Sequence, residues 1–420
     1  MKQMHVFGRI ILWFAVRRWA SLARGASRQG ILGAALVAIL FCHLTADGQI
    51  TATPIFSGTN AIAAMAYGDF DPNHPGNELA CFLANGSIVE LALGPTGWTA
   101  HTIFVFHGET PIPWQNPTMR VSLKVGNVLP GFSGNQLILN YFSRIIVVYY
   151  EPFRGWTSQI IVDRSDQVGT SWDMDVGHCD PSRPGDQPFA IFETVYDFSE
   201  GTVYEPNNWT WDNFTWEPNR VYYAEVGMGV AIGHSNPAFP QNDIVVVTEM
   251  GPAYEIVPPP TGGPGPWPMR TIWDDPVNAG WVVRIGNVNP QTPGTNQLVY
   301  GTRYTDRIMM SQYNGTNAQN VQILYTGINT NGSANNMWDV AIGQLYPATT
   351  ASPDKQIFGV DDSGSVYVVQ QATNQWQGSI LWQDTAPLYA VLAAPILSTM
   401  GDQVVVGGAS GTVTLLSTPP

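Results

Sequence analysis

One pattern recurs seven times along this chain: an apolar stretch ending in glycine, a short polar loop with proline, a Gly-Asn or Asp step, and a second apolar stretch. The first three copies read AMAYGDFDPNHPGNELACFL, LKVGNVLPGFSGNQLILNY and MDVGHCDPSRPGDQPFAIF. VAIGHSNPAFPQNDIVVV, VRIGNVNPQTPGTNQLVYG, VAIGQLYPATTASPDKQIFGV and VLAAPILSTMGDQVVVGG follow. The anchor residues are Gly68, Gly126, Gly177, Gly233, Gly286, Gly343 and Ala394, spaced by 58, 51, 56, 53, 57 and 51 residues. Six copies carry a proline four positions after the anchor: Pro72, Pro130, Pro181, Pro237, Pro290 and Pro347. Glycine lets a backbone turn where a Cβ would clash, and proline fixes φ while withholding an amide that has no ladder partner. The pattern predicts a rigid strand connector built seven times.

Short turns at Asn85-Gly86, Asp362-Ser363-Gly364 and Ser410-Gly411 separate further apolar alternations, which is hairpin chemistry. A fourth strand with Trp ahead of Ile follows in GWTAHTIFV (Trp98), GWTSQIIV (Trp156), PWPMRTIW (Trp267) and QWQGSILW (Trp376). With 42 Gly and 32 Pro the chain is too rich in breakers for long helices. Four strands per period of about 50 residues is the arithmetic of a β-propeller blade. The expected fold is all-β: a seven-bladed β-propeller with four-stranded antiparallel blades. The last repeat is one strand short, and ITATPIF (residues 50–56) is strand-like. That N-terminal strand is expected to close the ring beside the strand ending at Leu415.

The first 48 residues differ from the rest. Lys2, Arg9, Arg17, Arg18, Arg24 and Arg28 precede the apolar run ILGAALVAILFC, from Ile31 to Cys42. This reads as a secretory signal with a long basic n-region, since 12 apolar residues fall short of the roughly 20 that span a bilayer. Residues 49–420 are then a single propeller domain, expected to be secreted, periplasmic or on the cell surface, with no membrane span after cleavage. Of the 18 Lys and Arg, six precede residue 49, against one of the 32 acids, so the remainder carries a formal charge of −19. Such a surface repels phosphate backbones and disfavours nucleic acid. Outside the leader only Cys81 and Cys179 remain, too few for a disulfide framework.

The blades resemble FG-GAP or VCBS-type propeller repeats, the class that includes the head of integrin α-subunits, over residues 49–420. The resemblance implies a D-x-D-x-D-G calcium loop in the first connector. Here only the first repeat approaches it, with Asp69, Asp71 and Asn73 in GDFDPNHPG; Pro72 interrupts the string and His74 stands where glycine would be. The resemblance therefore implies at most a weak calcium site in blade one and no other cofactor.

Residues two and four before each anchor should face the central channel. They place Lys124, Asp175 and Arg284 in one layer and Asp173 and Asp339 in another. Charges there must reach water or a partner, either as ions structuring the wall or as ligand-binding groups. Trp172, Trp281, Trp338 and Tyr389 stand five before their anchors and are expected to pack between blades. His178 and His234, each following an anchor, fit loop hydrogen bonding better than a metal pair. The glycines of GMGVAIG open no helix, so no dinucleotide fingerprint is present. The longest insertions are HGETPIPWQNP (107–117), EPNNWTWDNFTWEPN (205–219) and VPPPTGGPGPWP (257–268). Within the second, Trp209, Trp211 and Trp216 form the expected ligand-binding patch. The functional expectation is a monomeric, non-enzymatic propeller that binds a glycan or protein partner through its loop face. A carbohydrate-active lyase or hydrolase on the same scaffold is the alternative, because two acids from separate blades would suffice.

Overall fold

The computed structural model describes residues 50–418 except 107–120, 130–131, 133, 142, 164–170, 196–197, 211–212, 264, 290–295, 313–319, 328–335, 347–354, 373–374 and 398–400. The basic leader, the 107–117 insertion and Pro130, Pro290 and Pro347 lie outside the described residues. Among those described, no helix is long and apolar enough to cross a membrane.

The strands group into seven four-stranded antiparallel sheets. After β1 (Thr51–Ser57), blade one holds β2 (Ile62–Gly68), β3 (Glu78–Leu83), β4 (Ser87–Gly94) and β5 (Gly97–Val105). Blade two holds β6 (Ser122–Gly126), β7 (Gln136–Tyr141), β8 (Arg144–Glu151) and β9 (Gly155–Asp163). Blade three holds β10 (Ser171–Gly177), β11 (Gln187–Val195), β12 (Phe198–Thr210) and β13 (Asn213–Glu225). Blade four holds β14 (Gly227–Gly233), β15 (Asp243–Thr248), β16 (Pro252–Ile256) and β17 (Met269–Asp274). Blade five holds β18 (Gly280–Gly286), β19 (Gln297–Thr302), β20 (Arg307–Gln312) and β21 (Asn320–Thr326). Blade six holds β22 (Met337–Gly343), β23 (Gln356–Asp361), β24 (Ser365–Ala372) and β25 (Gln375–Gln383). Blade seven holds β26 (Leu388–Ala394), β27 (Gln403–Gly408) and β28 (Thr412–Ser417), and its fourth strand is β1. The closing register runs Thr51↔Ser417, Thr53↔Leu415 and Ser57↔Thr412, as the sequence leads one to expect.

The described side chains of the second strands are buried because both faces of a blade are covered by neighbours, so these strands read as apolar runs such as QLILNY and DIVVVT. Among the described residues seven apolar clusters form the core: six span two adjacent blades, one of them joining Met65 and Leu79 of blade one to Val405 and Leu415 of blade seven, and the seventh runs from Trp172 of blade three through Met228, Trp281 and Trp338 to Leu388 of blade seven. The hairpin glycines Gly86, Gly364 and Gly411 have φ of 85°, 80° and 72°, the left-handed region a tight turn requires. Cys81 and Cys179 are buried and form no disulfide.

The anchor glycines have a different cause from the one read in the sequence. None has a positive φ. A Cβ on Gly68 would lie 2.8 Å from Val125, on Gly126 2.5 Å from Val176, on Gly177 2.9 Å from Ile232 and on Gly286 2.9 Å from Ile342. Each anchor thus makes room for the apolar residue just before the next blade's anchor. At ring closure the pair is Ala394 and Tyr67, and Tyr67 Oη donates to Pro395 O at 3.0 Å.

The connector after each anchor is held by a buried polar residue that opens the second strand: Glu78, Gln136, Gln187, Asp243, Gln297, Gln356 and Gln403. Gln136 Oε1 accepts from Val128 N (2.9 Å) and Leu129 N (2.8 Å), Gln187 Oε1 from Cys179 N and Asp180 N (2.9 Å each), and Gln297 Oε1 from Val288 N (2.7 Å) and Asn289 N (2.9 Å). The side chain supplies the acceptor that buried loop amides need. One position earlier, an Asn or Asp reaches the residue after the previous blade's anchor. Asn135 Nδ2 donates to Asp69 O, Asn242 Nδ2 to His178 O and Asn296 Nδ2 to His234 O, at 2.9, 3.1 and 2.7 Å. Asp186 Oδ2 accepts from Asn127 N and Asp402 Oδ2 from Gln344 N, at 2.9 and 2.7 Å. The Gly-Asn or Asp step is therefore an inter-blade belt.

Candidate functional site

The first strand of every blade is an edge, and its unpaired amides face the channel. Acids of the channel layers satisfy them one blade onward. Asp173 Oδ2 accepts from Val230 N at 3.1 Å, Asp175 Oδ2 from Ile232 N at 2.8 Å, and Asp339 Oδ2 from Val391 N at 3.2 Å. Two cations complete the arrangement. Lys124 Nζ lies 2.9 Å from Asp175 Oδ1, and Arg284 Nη2 lies 2.6 Å from Asp339 Oδ1. Ser122 Oγ donates to Asp173. Burial works against the Arg284 charge, but Asp339, Asp173 and Asp175 outweigh it and hold its pKa above the ordinary value. These side chains line a cavity of about 410 Å³ together with Trp338, Asp362 and Tyr389. The structure brings Lys124, Asp175 and Arg284 together as the sequence suggests, and it bonds them into the wall.

Trp281 and Trp338 meet edge to face at 5.8 Å, and Trp338 and Tyr389 at 5.4 Å. Trp172, Trp281 and Trp338 are buried, so these rings pack between blades. Trp338 Nε1 donates to Asp362. His178 Nδ1 contacts Gly185 O at 2.8 Å and His234 Nδ1 contacts Gln241 O at 3.4 Å, both within their own connectors.

Because strands alternate in direction, the first–second connectors and the third–fourth turns emerge on one face. The blade-three insertion continues β12 and β13 as a long hairpin, with Pro206↔Trp216, Asn207↔Thr215 and Thr210↔Asn213 paired. Cross-strand pairing over this length outweighs the turn preference of its Asn and Pro residues. Trp209 lies on β12, and Trp211 lies outside the described residues. Trp216 is half-buried against the cluster holding Val128, Met174 and Phe192. The blade-four proline loop folds against this hairpin. Asn219 Nδ2 donates to Gly263 O (3.1 Å), Asn219 Oδ1 accepts from Gly265 N (2.5 Å), and Asp180 Oδ2 accepts from Gly263 N (3.1 Å). Beside it, Phe239, Val257, Pro258, Pro259 and Met269 line an apolar groove of about 280 Å³.

Of the residues named for calcium, Asp71 and Asn73 are in contact. Asp69 is exposed, and Asn73 donates to Asp71 Oδ1 through both N and Nδ2 at 2.8 Å. Asp71 also joins His74 and Glu90, a grouping that sequence reasoning missed because Glu90 lies on another strand. His74 Nδ1 is 2.7 Å from Glu90 Oε1 and 3.3 Å from Asp71 Oδ2. The hydrogen bond to Glu90 raises the His74 pKa against the opposing effect of burial. Burial pushes Glu90 up, and pushes the nearby Glu78 up to about 7.

No family profile and no curated protein matches the sequence. Solved structures match the fold. The BBS1N chain in its complex with ARL6DN superposes with a TM-score of 0.54 at 9% identity, covering 89% of this chain and 97% of that one. Sqt1 from Saccharomyces cerevisiae gives 0.50 at 11% identity, covering 89% and 99%. At such identities the likeness establishes the propeller fold.

Proposed function

We propose that this chain is a secreted, non-enzymatic propeller that binds a protein or glycan partner through the connector face of blades three and four. The observation that carries this reading is the union of the β12–β13 hairpin, the proline loop and the apolar groove on one face. Long hairpins and loops on a rigid scaffold are where recognition concentrates. The channel charges, by contrast, are committed to neighbouring strands. The basic leader followed by a 12-residue apolar run supports export. The repeat chemistry supports placing the blades beside FG-GAP and VCBS-type propellers. That BBS1N, of similar fold, is found in complex with ARL6DN favours the protein partner over the glycan.

The test is a screen of residues 49–420 against immobilised secreted proteins and polysaccharides, scoring binding and product release together. Binding without product release is expected. Trp209→Ala with Trp211→Ala should weaken it while leaving the melting temperature nearly unchanged. Trp338→Ala is the packing control and should cost roughly 3–5 kcal/mol. Product release, or binding that survives loss of both tryptophans, would overturn the reading.

A further inference from the structure

Blade one differs from blades three and four in how it neutralises a buried acid on its third strand. In blade four, Glu255 lies two registers from the opening residue Asp243, through Val245↔Glu255, and its cross-strand partner is Arg270. Arg270 forms a close ion pair with the fully buried Glu255. In blade three, Arg220 Nη2 lies 2.7 Å from the buried Glu200. A permanent guanidinium thus meets the carboxylate in both.

Blade one repeats the register with Ala80↔Glu90 and Glu90↔His101, so histidine stands where blade four has arginine. The His101 ring stacks on that of His74 at 6.0 Å between centroids, and His74 turns to Glu90 and Asp71. Glu90 and Asp71 are 1% and 3% exposed, and His74 is their one cationic partner among the described residues. Two buried carboxylates, with Glu78 close by, therefore face imidazoles in place of a fixed positive charge.

We propose that Asp71, His74 and Glu90 form a binding site for a divalent first-row transition ion of the zinc class, which joins the blade-one connector to β4. One ligand atom from each lies within 4.8 Å of the other two. An imidazole nitrogen with two carboxylate oxygens suits such an ion, whereas calcium takes six to eight oxygens. Three protein ligands leave a fourth position, and the His74 side chain, 40% exposed, opens it to solvent. The ligand set shares only Asp71 with the calcium loop that a propeller repeat would carry.

The full chain, stripped with chelator, is titrated with Zn²⁺ by calorimetry and with Co²⁺ by visible absorption. One equivalent of Zn²⁺ and d–d bands from Co²⁺ are expected. His74→Gln and Glu90→Gln should each weaken binding by at least the roughly 10- to 100-fold that loss of an outer-shell partner costs. Asp69→Asn should bind as the wild type does. His74→Gln decides the matter if Glu90→Gln fails to fold, because the His74 side chain is partly exposed. Absence of Zn²⁺ binding by the wild type, or binding unchanged in His74→Gln, overturns the proposal. So does Ca²⁺ binding lost in Asp69→Asn and kept in His74→Gln.

Discussion

Gly126 shows how a repeated residue can be easy to find and hard to explain. Its Cβ-free edge accommodates Val176 of the next blade, so Gly126→Ala should overpack the junction and cost about 1–3 kcal/mol, measured by chemical denaturation. Asp306 offers a second test. It is 3% exposed, sits at φ 48°, and lies within 3.3 Å of Tyr367 Oη, which also donates to Asp361. Burial, then the Asp361 charge, push its carboxyl from 3.8 to about 7. The folded state holds this proton more tightly than the unfolded chain, so stability falls as pH rises from about 4 to about 7. Asp306→Asn keeps a residue that tolerates the left-handed region and removes the titration. The variant should flatten that part of the pH–stability curve and match the wild type near pH 4. A variant curve parallel to the wild type would show that Asp306 does not set the slope.

Within a blade, the connector depends on one buried amide. Gln136→Ala would leave Val128 N and Leu129 N without their acceptor, and should cost about 1–3 kcal/mol and speed hydrogen exchange in residues 127–129. Unchanged exchange there would mean that the loop holds its shape without the clamp. The polar residue opening each second apolar run was visible in all seven repeats, yet its role needs the loop folded back onto it. Strand order was legible because short turns divide each repeat into apolar runs, and the channel charges because they follow period-two alternation counted from an anchor. The Asp71–His74–Glu90 group was not, since it unites a loop with a strand whose register sequence does not display. The β12–β13 hairpin was not legible for a related reason. Asn and Pro at residues 205–219 signal turns locally, whereas pairing across the sheet decides the outcome.

For the ring as a whole, closure rests on β1 pairing with β28 and on the cluster joining Met65 and Leu79 to Val405 and Leu415. Deleting residues 50–57 should expose the edge of β28 and lower the melting temperature, with self-association through the open edge visible in sedimentation. A monomeric deletion variant of unchanged stability would show that closure does not need this strand. The same pairing fixes how the molecule answers force. Thr51 lies opposite Ser417, so a load applied to both chain ends acts on one end of an antiparallel pair. The bonds then open one after another, as a zipper does, and never share the load as they would in shear. A tether through both termini would peel β1 away at low tension while the blades between them stay folded, so an attachment meant to bear load belongs on a strand within the ring.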